Sequence, residues 1–210
     1  MPGNVDGMDI DLREEPITGV GDLARVSIAF EVDRVFDVAE QENGLGGFVL
    51  SERRIDVHYV KDYDGIEGEG PAQWAKRFDL SNWGLIGAYS NGGLVGGAVV
   101  AFNTDGVTLL EGRRDLAVLW DIRGSPHVRG QGIGSALFQA VEAWAIARGC
   151  RQLKVETQNI NVPACRFYAR QGCVLGAIHR SAYAEFPDEI QLLWHKNLIP
   201  ADGPVLPSDK

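Results

Sequence analysis

The segment most able to do chemistry is Arg129-Gly130-Gln131-Gly132-Ile133-Gly134. It joins an apolar run, Leu116 to Arg123, that reads as a strand to an amphipathic run, Ser135 to Arg148, that reads as a helix. Glycines let the chain turn tightly there and leave backbone N–H groups free at a helix start, where the dipole favours anions. The backbone of residues 130 to 135 is therefore a candidate phosphate cradle, with Gly130, Gln131, Gly132, Ile133, Gly134 and Ser135 facing the ligand and Arg129 beside it. The dinucleotide fingerprint G-x-G-x-x-G does not fit, because the glycines fall at 130, 132 and 134. A P-loop does not fit either, because no Lys-Ser or Lys-Thr pair follows Gly134. The plain alternative is a glycine-rich strand-to-helix turn.

Two carboxylates stand where acid–base chemistry could be done. Asp121 interrupts an apolar strand, and strict alternation puts it on the side of Leu119 and Arg123. A carboxylate in a cleft can have its pKa raised to a useful value; an ion pair with Arg123 is the competing role. Glu156 lies in the alternating run Gln152 to Gln158, opposite Val155, and points either into a cleft or into solvent. Cys165 and Cys173 have no histidine placed beside them and read as small buried residues rather than nucleophiles. Histidines 58, 127, 179 and 195 are scattered without metal-ligand spacing, so no metal site is expected.

The elements that would position these groups follow from periodicity and punctuation. Residues 1–18 are polar and acidic and read as a flexible N-terminal arm; residues 200–210, with three prolines, read as a flexible tail. Between them, residues 19–199 form one domain. Arg25 to Val35 alternates as a strand. The acidic, glycine-rich stretch 61–72 reads as a loop leading to a short helix near Ala72 to Phe78. Trp83 to Tyr89 and Leu94 to Phe102 form a hairpin across Asn91-Gly92-Gly93. After the long helix, Gly149 is a stop, Gln152 to Gln158 is a strand, and Asn161 caps a helix with Pro163 in its first turn. Val174 to His179 and Ile190 to Lys196 are final strands, and the aromatic positions read as core. The order implies a mixed α/β (α+β) sheet covered by helices.

The chain has 210 residues, 45% hydrophobic and 23% charged, which suits a globular domain with a sizeable core. Its net charge of −9 argues against nucleic acid and anionic membranes and favours cationic small molecules. Three cysteines without C-x-x-C suggest neither a disulfide framework nor a zinc site. No basic region followed by an apolar core opens the chain, and the longest apolar run, Gly92 to Phe102, is too short to span a bilayer. A cytoplasmic protein is the expectation.

Two motifs, R-x-x-G-x-G at Arg129 to Gly134 and N-x-x-A-x-x-x-Y at Asn161 to Tyr168, occur in the order and context of the GNAT N-acetyltransferases, which the chain resembles over about residues 116–175. A closer likeness, carried by Trp120-Asp121-Ile122, residues 156–168, Ala182 to Pro187 and Glu189 to Trp194, is to the streptothricin acetyltransferases of that family. The chain departs from their pattern at Arg123-Gly124, where small or β-branched residues are usual, and at Cys173, where an aromatic is common.

The resemblance implies a GNAT fold: a central, mostly antiparallel, twisted sheet with splayed strands and flanking helices. It implies acetyl-CoA as cosubstrate, with the pyrophosphate on the glycine loop and the pantetheine arm along the backbone of Ile122, Arg123 and Gly124. It gives Asn161 and Ala164 contacts with that arm, beside Asn161's role as a helix cap. Arg129, Arg166 and Arg170 would assist the phosphates, or the last two would simply face solvent.

The implied reaction moves an acetyl group directly to a primary amine of a small cationic acceptor, such as a streptothricin acetylated on its β-lysine portion. An amine of pKa about 10.4 must lose its proton. Backbone N–H groups of the splayed strand suit the developing oxyanion. Tyr168 stands at the family's acid position, and a phenol of pKa about 10 keeps its proton to give to the thiolate. Asp121, Glu156 or a water relay would serve as base. The acidic residues Asp62, Asp64, Glu67 and Glu69, with Glu185, Asp188 and Glu189, would receive the cation. The alternatives are another amine acceptor (polyamine, amino-acid derivative or protein lysine) and a non-catalytic CoA-binding sensor. GNAT proteins are often homodimers, and no pattern here marks an interface.

Overall fold

A computed structural model describes residues 3–5 and 8–198. In chain order the strands are β1 (Gly3–Val5), β2 (Met8–Glu15), β3 (Phe30–Glu40), β4 (Phe48–Lys61), β5 (Gly84–Ser90), β6 (Gly93–Phe102), β7 (Leu116–Gly124), β8 (Gln152–Gln158), β9 (Val174–His179) and β10 (Gln191–Asn197). The helices are α1 (Pro71–Arg77), α2 (Ile133–Ala147) and α3 (Val162–Arg170), and a run of 3-10 turns occupies Ile17–Arg25.

Eight strands form one sheet in the order β1-β2-β5-β6-β7-β8-β10-β9. Every pair is antiparallel except the central β7–β8 pair, whose crossover is α2. Helix α2 places Leu137, Phe138, Val141 and Trp144 on one face of the sheet, packed with Ala117, Leu119, Leu153 and Val155 and with Cys165 and Tyr168 of α3. The opposite face carries Val20 and Leu23 of the 3-10 segment and Trp74 of α1 against Val99, Ala101 and Val118. Gly97 makes that second layer possible: a Cβ there would lie 2.4 Å from Leu23 Cδ2.

Most expected elements appear within one or two residues of their bounds. Three regions differ. Met8–Glu15, expected inside a flexible arm, is a strand paired with β5 from Asp11↔Tyr89 to Glu15↔Leu85. Its acidic residues mask a strand that lies between β1 and β5 and whose Ile10 is buried. The expected strand from Arg25 begins only at Phe30 and runs on to Glu40. It pairs with β4, which the sequence pattern left unassigned, in a separate two-stranded ribbon. The ribbon buries Val32 and Val35 against Ile160 and leaves Val57 and Val60 exposed, so alternation is weak along it. The expected tail 200–210, with residue 199, lies outside the described residues.

Candidate active site

The split in the sheet makes the site. Strands β7 and β8 pair in parallel only from Leu116↔Gln152 to Leu119↔Val155. Beyond that point each follows its other neighbour: β7 stays with β6 as far as Gly124↔Gly96, and β8 stays with β10 as far as Gln158↔Gln191. The two halves diverge and leave one edge of Ile122, Arg123 and Gly124 without a strand partner. A cleft of about 780 Å³ fills the gap, lined at one end by Gly130, Gly134, Asn161, Ala164 and Phe167 and at the other by Asp64, Glu69, Trp74 and Glu185.

The glycine-loop end is built from backbone. Gly130 and Gly132 have φ of 80° and 82°, in the left-handed region that side chains with a Cβ avoid. Gly132 caps α2 without any side-chain bond, and the first intrahelical bond runs from Ala136 N–H to Gly132 O. The N–H groups of Ile133, Gly134 and Ser135 precede it and are free for an anion. At Gly134 an added Cβ would sit 3.3 Å from the Phe167 ring. Ile133 itself is core, Ser135 Oγ accepts from Gln171 Nε2 at 3.0 Å, and Gln131 Nε2 donates to His127 O.

Asn161 caps α3 by accepting from Ala164 N–H at 3.1 Å, so the helix starts at the cleft wall. Arg129 donates to three carbonyls, Gly124 O, Ser27 O and Ala29 O, and so clamps residues 27–29 onto the end of β7. Arg166 pairs with Glu52 of β4, and Arg170 is exposed.

The three candidate acid–base residues fare differently. Tyr168 is 5% exposed and lines the cleft; burial, then the charge of Asp121, pushes its phenol well above the ordinary value. Asp121 accepts from Arg123 Nε at 2.8 Å and from Arg123 Nη2 at 2.6 Å, one bond to each oxygen. Burial pushes its carboxyl up, and the Arg123 bonds pull against that. Arg123 also holds Asp64 through two bonds and donates to Val26 O. Burial opposes its charge, but the bonds it donates to two carboxylates outweigh that and hold the guanidinium above its usual value.

Asp121 does not share a face with Leu119. The register steps from Val99↔Asp121 to Val100↔Leu119, so Trp120 is the extra residue of a β-bulge. The bulge turns Asp121 and Arg123 toward the 3-10 segment while Leu119 stays under α2. Trp120 joins Trp74, Phe78 and Trp83 in an aromatic cluster and also lines the cleft.

Glu156 is the carboxylate that faces the cleft with neutral partners. Its Oε1 accepts from Tyr183 Oη at 2.6 Å and its Oε2 from Gln191 Nε2 at 2.8 Å. Burial, then Glu156, pushes the Tyr183 phenol well up, so it stays a donor. Nothing local in the sequence marks Tyr183 or Gln191 for this task; they arrive from a loop and an antiparallel strand on the far side of α3.

The sequence profile of the acetyltransferase (GNAT) family matches residues 53–173, from within β4 to just past α3. This chain belongs to the GNAT acetyltransferase family. It is therefore an acyltransferase, with acetyl-CoA as acetyl donor, and the glycine cradle, orphan N–H groups and long cleft fit that cosubstrate. It is 32% identical over 172 residues to a streptothricin acetyltransferase of Escherichia coli, covering 79% of this chain and 84% of that one. It is 29% identical over 163 residues to streptothricin acetyltransferase A of Bacillus subtilis (strain 168), covering 73% and 81%. A solved structure from Bacillus anthracis str. Ames, in complex with acetyl coenzyme A, shares the fold with a TM-score of 0.69 at 19% identity, covering 90% of this chain and 99% of that one. No helix among the described residues is long and apolar enough to cross a membrane.

Proposed function

We propose that the acceptor is a primary amine of a small cationic molecule of the streptothricin class, acetylated on its β-lysine portion. The observation that carries this reading is Glu156: a carboxylate in the cleft whose partners, Tyr183 and Gln191, are both neutral. Its charge is left for a cation. Glu185 lines the same cleft, whereas Asp64, Glu69 and Glu189, also on its wall, are already paired with Arg123, Arg77 and Lys61. The names of the curated relatives agree with it.

When bound, acetyl-CoA supplies an acetyl group already activated as a thioester. The free backbone N–H groups of Ile133, Gly134 and Ser135 and the free edge of Ile122 to Gly124 bind and orient it. Asn161 and Ala164 shape the wall of that end. Glu156 steers the incoming ammonium and accepts its proton at a carboxylate oxygen. Tyr183 and Gln191 keep those oxygens pointed at the cleft. Tyr168 Oη, buried and protonated at neutral pH, donates a proton to the departing sulfur. Asp121 is held on both oxygens by Arg123 and acts as a structural anion.

Thiol release from acetyl-CoA, measured with streptothricin, spermidine, lysine derivatives and aminoglycosides, tests the reading. Streptothricin is expected to give the highest kcat/KM by at least tenfold. Release with another amine alone would replace the acceptor; silence with every amine, while CoA still binds, would favour a sensor.

A further inference from the structure

The two halves of the sheet that part beyond Leu119 and Val155 are reconnected, at the carboxylate-lined end of the cleft, by two adjacent residues. Asp64 reaches the β7 half: its oxygens accept from Arg123 Nη1 at 2.6 Å and from Nη2 at 3.2 Å. Tyr63 reaches the other half: its Oη donates to Glu189 Oε2 at 2.9 Å, just before β10. Lys61, at the end of β4, binds the other Glu189 oxygen and lies over the Phe186 ring. Arg123 is fully buried and fixed by Asp121, so the anchor on that side is rigid. Glu189 is 7% exposed and doubly bonded, so the other anchor is rigid too.

We infer that Tyr63-Asp64 is a strap across the split, and that it sets how wide the acceptor end opens, making both residues specificity determinants for the amine. The inference rests on the proposal that this end takes the acceptor. It also gives Arg123 a task as a positioning residue for the strap. A small or β-branched residue at position 123 has no group that could reach Asp64.

The strap acts by holding position rather than by touching the reacting atoms. Loosening it should leave the glycine-loop end alone and blur the fit of the acceptor. Arg123 is a poor place to test this, because its removal leaves Asp121 buried without a partner. Tyr63→Phe and Asp64→Ala each delete one tie from a surface loop.

The experiment uses the full chain carrying both changes. Hydrogen exchange of the free protein reads the strap without any acceptor. Steady-state kinetics with streptothricin, or with whichever amine is turned over, reads its consequence. Exchange is expected to quicken in residues 61–70 and in 183–190 together. The acceptor KM is expected to rise about tenfold, while kcat and the dissociation constant of acetyl-CoA stay within twofold. Unchanged exchange in either segment would overturn the strap, whatever the acceptor proves to be. An unchanged acceptor KM, or an equal loss for acetyl-CoA, would overturn its role in specificity. If no amine is turned over, the acceptor reading falls while exchange still decides the strap.

Discussion

The two ends of the cleft are built from different materials. The glycine-loop end is backbone: positive-φ glycines, a helix start and the unpaired edge of β7, all within residues 122–135. The opposite end is side chains, brought by the loop after β4, the end of β8 and the loop before β10. A ligand common to a whole family can be held by backbone, which tolerates change in side chains. A particular amine needs charges at particular points, and those come from loops that vary freely. The relation between the ends is the split between β7 and β8, which lets one cleft run from the α2–α3 face to the α1 face.

Substitutions that strike one end and spare the other are the sharpest tests. Tyr168 sits between the ends, so Tyr168→Phe should lower kcat by about 10²–10³ with little change in either KM, as loss of a general acid does. A loss of affinity instead, measured by titrating acetyl-CoA, would make Tyr168 a packing residue. Gly132→Val forces a β-branched residue to a φ of 82°. The strain is about 1–2 kcal/mol, and binding must restore the cradle against it. The acetyl-CoA dissociation constant should therefore rise about 5- to 30-fold with the acceptor KM unmoved; an equal rise in both would erase the distinction between the ends.

The smallest effect lies away from both. Lys154, almost fully buried in β8, binds Glu111 Oε1 at 2.6 Å and Leu109 O, which pins the loop before β7. The hydrogen bond from Lys154 holds the Glu111 carboxyl below its usual 4.5. A lowered folded-state pKa stabilises the protein fully above the unfolded value, and that contribution fades as pH falls through the folded one. Glu111→Gln should thus lower Tm slightly at pH 7 and lose its effect at the acid end, because Glu111 is half exposed and the pair is screened. A thermal melt series across pH 3–7 reads this; an effect that grows toward low pH would contradict it.

The glycine loop, the Asn161 cap and the strands on either side of α2 were legible in the sequence because each is a local event. A positive φ needs glycine, a helix start needs a cap, and a strand between them shows its apolar run. Met8–Glu15 and the β3–β4 ribbon were not legible, because strands near the margin of a sheet and two-stranded elements bury too little for alternation to show. Asp121 shows the limit most clearly. Strict alternation put it beside Leu119, and a bulge at Trp120, set by pairing with β6, turned it to the other face and into the grip of Arg123. The sequence by itself determined the glycine-loop end, since backbone conformation there is written in neighbouring residues. Only the tertiary structure decided the carboxylate-lined end. Glu156 meets Tyr183 and Gln191, and Asp64 meets Arg123, across separations of 27, 35 and 59 residues, which no local pattern encodes.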